Sequence, residues 1–411
     1  MAEIGLKFDE ASRSHPSDEM VDQIRTRYPT EREIDRIYSR KMQRRKGPGY
    51  QPVTIEQLVS GTTALIEAEL GERVKIANAK WLSGGASKLQ MLFDLHWTGP
   101  AGRHGEGQVT NMVLRMEPSA SVTESSRRRE FEVLQAVQGI IPAPKPYWVD
   151  ADATYLPYPA MVYDFVRGTA KPSRDAAKVS GLGQNFGPEL RAKLAPQFVH
   201  LLGKLHNVDV SALSGMEHFE RPAVASNASV IKQVNAARRT WEEDRIEEEP
   251  VMEIVYRWLI ANAPPLDHLS IVHGDYRSGN FLFDEDSGEI TAWLDWEGAT
   301  LGDRHLDLTY AAHPLFEHIS EDGSLALASG MMPAAELYAA YEKASGLSID
   351  PERIVYFSVF NRYLIVVLLL AASARASRSA GTHQDVLVNY VAGLGYPALA
   401  DLRQYFIGVT A

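Results

Sequence analysis

The chain contains no cysteine. That excludes a disulfide framework, a thiolate metal site and a thiol nucleophile, and leaves oxygen and nitrogen groups to carry any chemistry. Positive charge is also in deficit: 42 Lys and Arg against 53 Asp and Glu give a net charge of -11. Such a balance repels a phosphate backbone, so no nucleic-acid partner is expected. Long hydrophobic runs are missing too. The longest, Tyr363 to Ala372, falls well short of the roughly 20 residues a bilayer requires, so it reads as a buried helix and no membrane partner is expected. Met1 to Glu10 carries neither a basic stretch nor an apolar one, so no secretory signal is expected and a cytoplasmic location is.

What is present is ordinary globular material: 411 residues, 45% hydrophobic and 23% charged, too long for one comfortable core. After a polar start, Thr30 with Glu33 predicts a capping box ahead of a helix carrying Ile34, Ile37, Tyr38 and Met42, ended at Gly47-Pro48-Gly49. Thr54 with Gln57 predicts a second capped helix closing near Gly71. The period then changes. Residues 74–82, 88–97 and 109–116 read as strands, joined first by Ser83-Gly84-Gly85-Ala86-Ser87 and then by a glycine-rich turn. A helix over 126–138 and strands over 146–150 and 160–166 complete a small sheet carrying one helix. Helical patterns follow at 190–206, 230–249, 252–263, 334–345, 352–377 and 385–394.

The chemistry concentrates in His273-Gly274-Asp275-Tyr276-Arg277-Ser278-Gly279-Asn280, followed by Leu294-Asp295-Trp296-Glu297. Short apolar strands flank polar loops that can bring an amide, Asn280, beside a carboxylate, Asp295. Oxygen ligands of this kind suit Mg2+, whose remaining ligands are usually waters and nucleotide phosphates. Asp275 is then free to act as a base toward a substrate hydroxyl, and Arg277 is placed to neutralise a transferred phosphoryl group. Upstream, the small residues Gly84, Gly85, Ala86 and Ser87 would let backbone N–H groups approach phosphates. Arg115, in the third strand, could reach those phosphates, held by Glu130 on the following helix. His273 reads as a structural histidine that bonds backbone. Asp303 and Asp307 read as loop braces, and Glu297 stays open between the surroundings of the metal and a substrate contact.

With these residues in place, the sequence resembles the aminoglycoside phosphotransferase superfamily, small-molecule relatives of the protein kinases. Within it, the chain is similar to the kinase-like domains found beside acyl-CoA dehydrogenases. The resemblance spans about residues 51–380 and is anchored on His273-Gly274-Asp275 through Asn280, Leu294-Asp295-Trp296-Glu297 and Gly302-Asp303-Arg304-His305-Leu306-Asp307-Leu308. It implies an α+β, bilobal protein-kinase-like fold, with a small antiparallel-sheet N-lobe and a larger, mostly helical C-lobe. It also implies ATP with Mg2+ as cofactors and transfer of the γ-phosphoryl group to a hydroxyl. By the same resemblance, Tyr163-Asp164-Phe165-Val166 is the hinge, with Asp164 and Val166 meeting adenine through backbone, followed by Gly168. The chain departs from the pattern at Arg115, where many kinases carry lysine. A planar fork in place of a point charge implies altered nucleotide affinity.

The expected organisation is a helical extension over 1–50, a nucleotide-binding N-lobe and hinge over 51–166, and a helical C-lobe with catalytic loop and substrate cleft over 167–411. Packing on a lobe and forming a homodimer contact are both open to the extension. For the small-molecule hydroxyl substrate, an alcohol or a hydroxyacyl thioester such as a hydroxyacyl-CoA is placed ahead of an aminoglycoside. Only six residues separate Asp295 from Gly302, too few to dock a polypeptide acceptor. The acidic run 242–249 is either a solvated helix face or a carboxylate-rich cleft for a polycation. The basic stretches Arg40 to Lys46 and Arg127-Arg128-Arg129 are either surface or contacts for CoA phosphates. A reading of another class is a catalytically silent nucleotide-binding module.

Overall fold

The computed structural model describes residues 8–47, 52–82, 88–97, 108–118, 121–174, 182–378 and 385–411. Three helices open the chain: α1 (Glu10–Ser14), α2 (Asp18–Arg27) and α3 (Arg32–Arg44). The Thr30/Glu33 capping box does not form. The N-cap of α3 is Glu31, without a side-chain cap bond, because Glu33 is drawn away to Arg36 and to the hydroxyl of Ser126. α4 (Ile55–Leu70) has the expected box, with Thr54 and Gln57 bonding each other's backbone, and ends on a left-handed Gly71.

The sheet comprises β1 (Val74–Trp81), β2 (Leu89–Trp97), β3 (Val109–Met116), β4 (Pro146–Asp150) and β5 (Ala160–Asp164). It is antiparallel throughout, in the order β1-β2-β3-β5-β4. Helix α5 (Arg127–Ala136) lies between β3 and β4 in the chain. Alternation along the strands divides the sheet into two faces. Met91, Phe93 and Leu95 of β2 pack with Met112, Leu114, Val162 and the α4 residues Leu58, Leu65 and Ile66. Val113, Met161 and Tyr163 face the other way, into the core shared with α5 and the helical lobe. Arg115 is two residues from Val113 and therefore points to that second face, toward α5 and the cleft.

The helical lobe is built from α6 (Gly187–His206), α7 (Ala228–Asp244) and α8 (Pro250–Ala261), then α9 (His305–Ala311), α10 (Ala334–Ser345) and α11 (Pro351–Val366). Four short strands, β6 (Ser270–Val272), β7 (Phe281–Phe283), β8 (Ile290–Trp293) and β9 (Thr300–Gly302), form the ribbons β6–β9 and β7–β8. A further pair, β10 (His318–Ile319) and β11 (Ala326–Leu327), lies before α10. A π-helical turn over Val367–Ser373 leads from α11 into α12 (Ala374–Arg378), and α13 (Asp385–Ala392) and α14 (Gly395–Thr410) end the chain. The run Pro351–Ser377 is long and apolar enough to span a bilayer, but 72% of its apolar window is buried inside this protein. It serves as a core helix against α7, α8, α9 and α14. Helix α7 is shorter than its pattern predicts. Pro250 occupies the first turn of α8 and forces Glu249 into extended backbone, and Arg245 has already left the helix. The pattern of α14, and the two short helices at the start, were not legible in the sequence.

The acidic run is solvated only in part, with Glu247 and Glu248 exposed and Glu249 half-buried. Glu242, Glu243 and Asp244 are buried and paired with cations from the first 47 residues. Lys41 lies 2.6 Å from Glu243 and 3.1 Å from Asp244, Arg45 also pairs with Asp244, and Arg13 donates to the Glu242 carbonyl at 2.8 Å. Asp35 of α3 binds Arg239 of α7 at 2.5 Å. Met20, Val21, Ile24, Tyr28 and Met42 form a small apolar core with Tyr256. The extension therefore docks on the helical lobe.

Candidate active site

The loop after β6 is shaped by Asp307 of α9. Its two carboxylate oxygens accept the N–H groups of His273 and Gly274 at 2.7 and 2.8 Å. Asp307 is itself held by His206 at 3.2 Å, whose other ring nitrogen meets the Tyr341 hydroxyl at 2.8 Å. His273 bonds the Leu294 carbonyl at 2.9 Å, and burial lowers its pKa, which keeps the ring neutral. Asp307 and His273 are thus a brace and a structural histidine. Asp303 is another brace, accepting from the backbone and ring of His305 and pairing with Arg353. Gly274 has φ of +82°, and a Cβ there would stand 2.3 Å from the Gly298 carbonyl oxygen, so only glycine fits this crossing.

This bracing presents Asp275. Its Oδ1 accepts from Arg277 Nε at 2.8 Å, and its backbone carbonyl accepts from Asn280 Nδ2 at 2.9 Å. Burial raises the Asp275 pKa, against the opposing pull of Arg277 and His273. Arg277 also lies over the Phe316 ring at 4.8 Å, so it is anchored on both sides. Asn280 is tied to the second loop, since its carbonyl accepts the Leu294 N–H at 2.7 Å. Asp295, next in the chain, adopts left-handed backbone, φ 59° and ψ 48°. That conformation is uncommon for a residue with a side chain and recurs at functional loops. With Asn280 Nδ2 engaged on the loop, its Oδ1 and the Asp295 carboxylate are the hard-oxygen donors that these two adjoining loops offer. Among the described residues no group of three or more His, Cys, Asp or Glu could hold a metal. An amide and one carboxylate fit a Mg2+ that takes its other ligands from water and phosphate.

Arg115 joins the two lobes. It pairs with Glu130 of α5 at 3.2 Å, as expected, and also with Asp295 at 2.7 Å and Glu297 at 3.3 Å. Burial opposes its charge, yet Glu130, Asp295 and Glu297 hold it firmly protonated. Two cations that sequence reasoning did not assign here complete the cluster. Lys88 is fully buried, 3.1 Å from Glu297 and 3.2 Å from Glu117. Arg127 reaches Glu117 at 3.2 Å and Glu297 at 3.3 Å, and also pairs with Glu130. Glu297 is largely shielded from water, which alone would raise its pKa, but Lys88, Arg115 and Arg127 hold it well below the usual carboxylate range. Strand parity could have found Lys88, since residues 88, 90 and 92 share the face of Arg115 in this register. Arg127 lies three residues before Glu130 on the same helix face.

Other sequence expectations meet a mixed outcome. The phosphate-loop residues Gly84, Gly85, Ala86 and Ser87 lie outside the described residues. At the hinge, Asp164 donates its N–H to the Lys145 carbonyl at 3.0 Å, and its carboxylate accepts the Lys145 N–H at 2.6 Å. Val166 follows outside any regular element before Gly168, where a Cβ would meet Thr291 Oγ1 at 2.7 Å. Most of the cations of the two basic stretches are paired within the protein, Arg128 and Lys46 at its surface. Arg127 is buried in the cluster, Arg128 pairs with Asp152 and Arg129 with Glu31, while Lys41, Arg44, Arg45 and Lys46 pair with Glu243, Glu124, Asp244 and Asp18.

Comparison with known proteins agrees with this architecture. The human acyl-CoA dehydrogenase family member 11 is 27% identical over 275 residues, covering 62% of this chain and 34% of that one. The mouse acyl-CoA dehydrogenase family member 10 is 26% identical over 238 residues, covering 54% and 21%. The chain thus spans about a third or less of these relatives' length. Among solved structures, a Ralstonia eutropha protein assigned as an aminoglycoside phosphotransferase has 22% identity and a TM-score of 0.60, covering 84% of this chain and 97% of that one. An aminoglycoside phosphotransferase in ternary complex with ADP and hygromycin B has 13% identity and a TM-score of 0.50, covering 84% and 98%. Both share the bilobal kinase-like fold. The profile of the phosphotransferase enzyme family matches residues 101–354, more than half of the sequence, and this chain belongs to that family.

Proposed function

We propose that the chain is an ATP- and magnesium-dependent phosphotransferase that moves the γ-phosphoryl group to a hydroxyl of a small molecule, an alcohol or a hydroxyacyl compound. The observation that carries this reading is the convergence of Asp275, Asn280 and Asp295 with the Arg115–Glu130 pair at the junction of the lobes. In this reading, Asp275 accepts the proton of the substrate hydroxyl at its carboxylate. Burial lifts its proton affinity, while the Arg277 guanidinium holds its orientation. Asn280 Oδ1 and Asp295 would hold Mg2+, which when bound neutralises charge on the phosphates. Arg115 would turn from Asp295 toward the α- and β-phosphates, still tethered by Glu130. The Asp164 carbonyl and the Val166 N–H would meet the purine edge.

For the acceptor, two observations favour an apolar alcohol or hydroxyacyl group over a polycationic antibiotic. Three carboxylates of the acidic run, Glu242, Glu243 and Asp244, are buried and so not free to line a polycation cleft. The curated relatives carry acyl-CoA dehydrogenase names. Phosphorus NMR with Mg-ATP and separate pools of branched alcohols, hydroxyacyl-CoAs and aminoglycosides tests the reading, with Asp275→Asn as the blank. A phosphomonoester signal in an alcohol or hydroxyacyl pool, absent from the blank, is the expected result. Intact ATP in every pool, or equal product from the blank, would remove it.

A further inference from the structure

The extension over residues 8–47 does more than cover α7. Its second contact is with the segment that positions α5. Ser126, the N-cap of α5, accepts the Arg129 N–H on its hydroxyl oxygen and donates its proton to Glu33. The Glu33 carboxylate therefore fixes the rotor of the cap, so that a lone pair faces the helix. Glu31 pairs with Arg129 at 3.1 Å, Arg129 donates to the Ala299 carbonyl at 3.2 Å, and Arg44 pairs with Glu124, just before the cap. Two carboxylates of the extension thus stand near the positive end of the α5 dipole.

The same segment is stitched to the candidate site from its other side. Lys88 donates to the Thr123 carbonyl at 2.8 Å and to Ser121 Oγ at 2.9 Å. Ser125 Oγ meets Glu117 at 2.9 Å and Glu297 at 3.3 Å. Residues 121–129 therefore have the extension on one side and the Lys88/Arg115/Arg127 cluster on the other, with Glu130 one turn into the helix.

We infer that the N-terminal extension is an intramolecular clamp on α5, in which Glu31 and Glu33 are positioning residues that hold Glu130 against Arg115 in the nucleotide-binding arrangement. In kinase-like folds the ion pair between a strand cation and a helix glutamate must be in place for transfer. Here that placement is supplied from within the chain. The inference rests on the proposed nucleotide binding.

The test uses the full chain, titrating Mg-AMP-PNP by calorimetry and following amide exchange over residues 127–136. Glu31→Ala/Glu33→Ala is expected to weaken nucleotide binding by about tenfold, within the usual range of coupling between sites, and to speed exchange in α5. Glu33→Ala alone should show part of this loss, and Glu33→Gln, which keeps an acceptor for Ser126, should restore most of it. Asp35→Asn weakens the contact with Arg239 of α7 and the pair with Arg25 inside the extension, and leaves the contacts of Glu31 and Glu33 in place. It should lower Tm while leaving nucleotide affinity within about twofold, a split that separates positioning from general stability. Unchanged affinity in the double variant, or equal loss in Asp35→Asn, would overturn the clamp while leaving the kinase reading intact. A wild-type chain that binds no nucleotide would overturn both.

Discussion

Arg115 and Asp295 lie 2.7 Å apart, binding the third strand of the sheet to the loop after β8. The same guanidinium also meets Glu130 and Glu297, so one side chain ties α5, the sheet and the helical lobe together. A planar fork with five donors can serve three carboxylates at once, and an ammonium on a flexible stem serves them less well.

Arg115→Lys is therefore expected to shorten the reach to Asp295 and Glu297 while keeping the charge. Nucleotide affinity should change by about tenfold, with a Tm fall of a few degrees. Calorimetric titration with AMP-PNP and a thermal scan check both. Arg115→Ala should cost more, about 3–5 kcal/mol, because it strands buried carboxylates.

The pH dependence of turnover should have an acidic limb set by Asp275. Burial raises its pKa, so the base is charged, and the enzyme active, only above that raised value. Activity is then lost as pH falls through it, at a pH above the ordinary aspartate range. A pH–rate profile of kcat shows this limb, and Arg277→Gln should move it further upward by removing the cation that favours the charged form.

Gly274→Ala should disable the site without touching any charge. The added Cβ meets the Gly298 backbone and asks an L-residue to hold φ of +82°. The expected cost is at least about 2 kcal/mol, together with loss of product. Thermal unfolding and the phosphorus NMR assay read the two effects separately.

Acid should detach the extension. Lys41 and Arg45 outweigh the effect of burial and hold Asp244 at about 2, below its usual value. A depressed carboxylate stabilises the fold above its unfolded pKa, and this is lost as pH falls from about 4 toward 2. The contribution is about 2 kcal/mol at neutral pH. Asp244→Asn should abolish this part of the acid sensitivity, and by leaving Arg45 without its carboxylate and Lys41 with Glu243 alone it should already lower Tm at neutral pH. Tryptophan fluorescence across an acid titration distinguishes the two chains.

Much of the site was legible because its parts lie close together in sequence. Asp275, Arg277 and Asn280 fall within six residues, and their loop geometry follows from local backbone demands such as the glycine at 274. Arg115 and Glu130 were legible as a pair because one stands in the third strand and the other on the helix that follows it, where opposite charges can meet. Lys88, Glu117 and Arg127 were harder to place, because an isolated charge in a sequence does not show whether it meets solvent or an opposite charge. The acidic run 242–249 shows the same limit. The helical phase of its first residues was readable, but Lys41 and Arg45, which pair with Glu243 and Asp244, come from some 200 positions earlier.

By itself the sequence determined the order of most elements, the small sheet with its one helix and the residues of the candidate catalytic loop, since these depend on period, turn chemistry and spacing within a few residues. Only the tertiary structure decided which charges are internal, where residues 8–47 dock and which groups surround Glu297. Those outcomes depend on desolvation and pairing between distant segments, and a carboxylate becomes a buried partner or a solvated one only when folding brings, or fails to bring, a cation within about 4 Å.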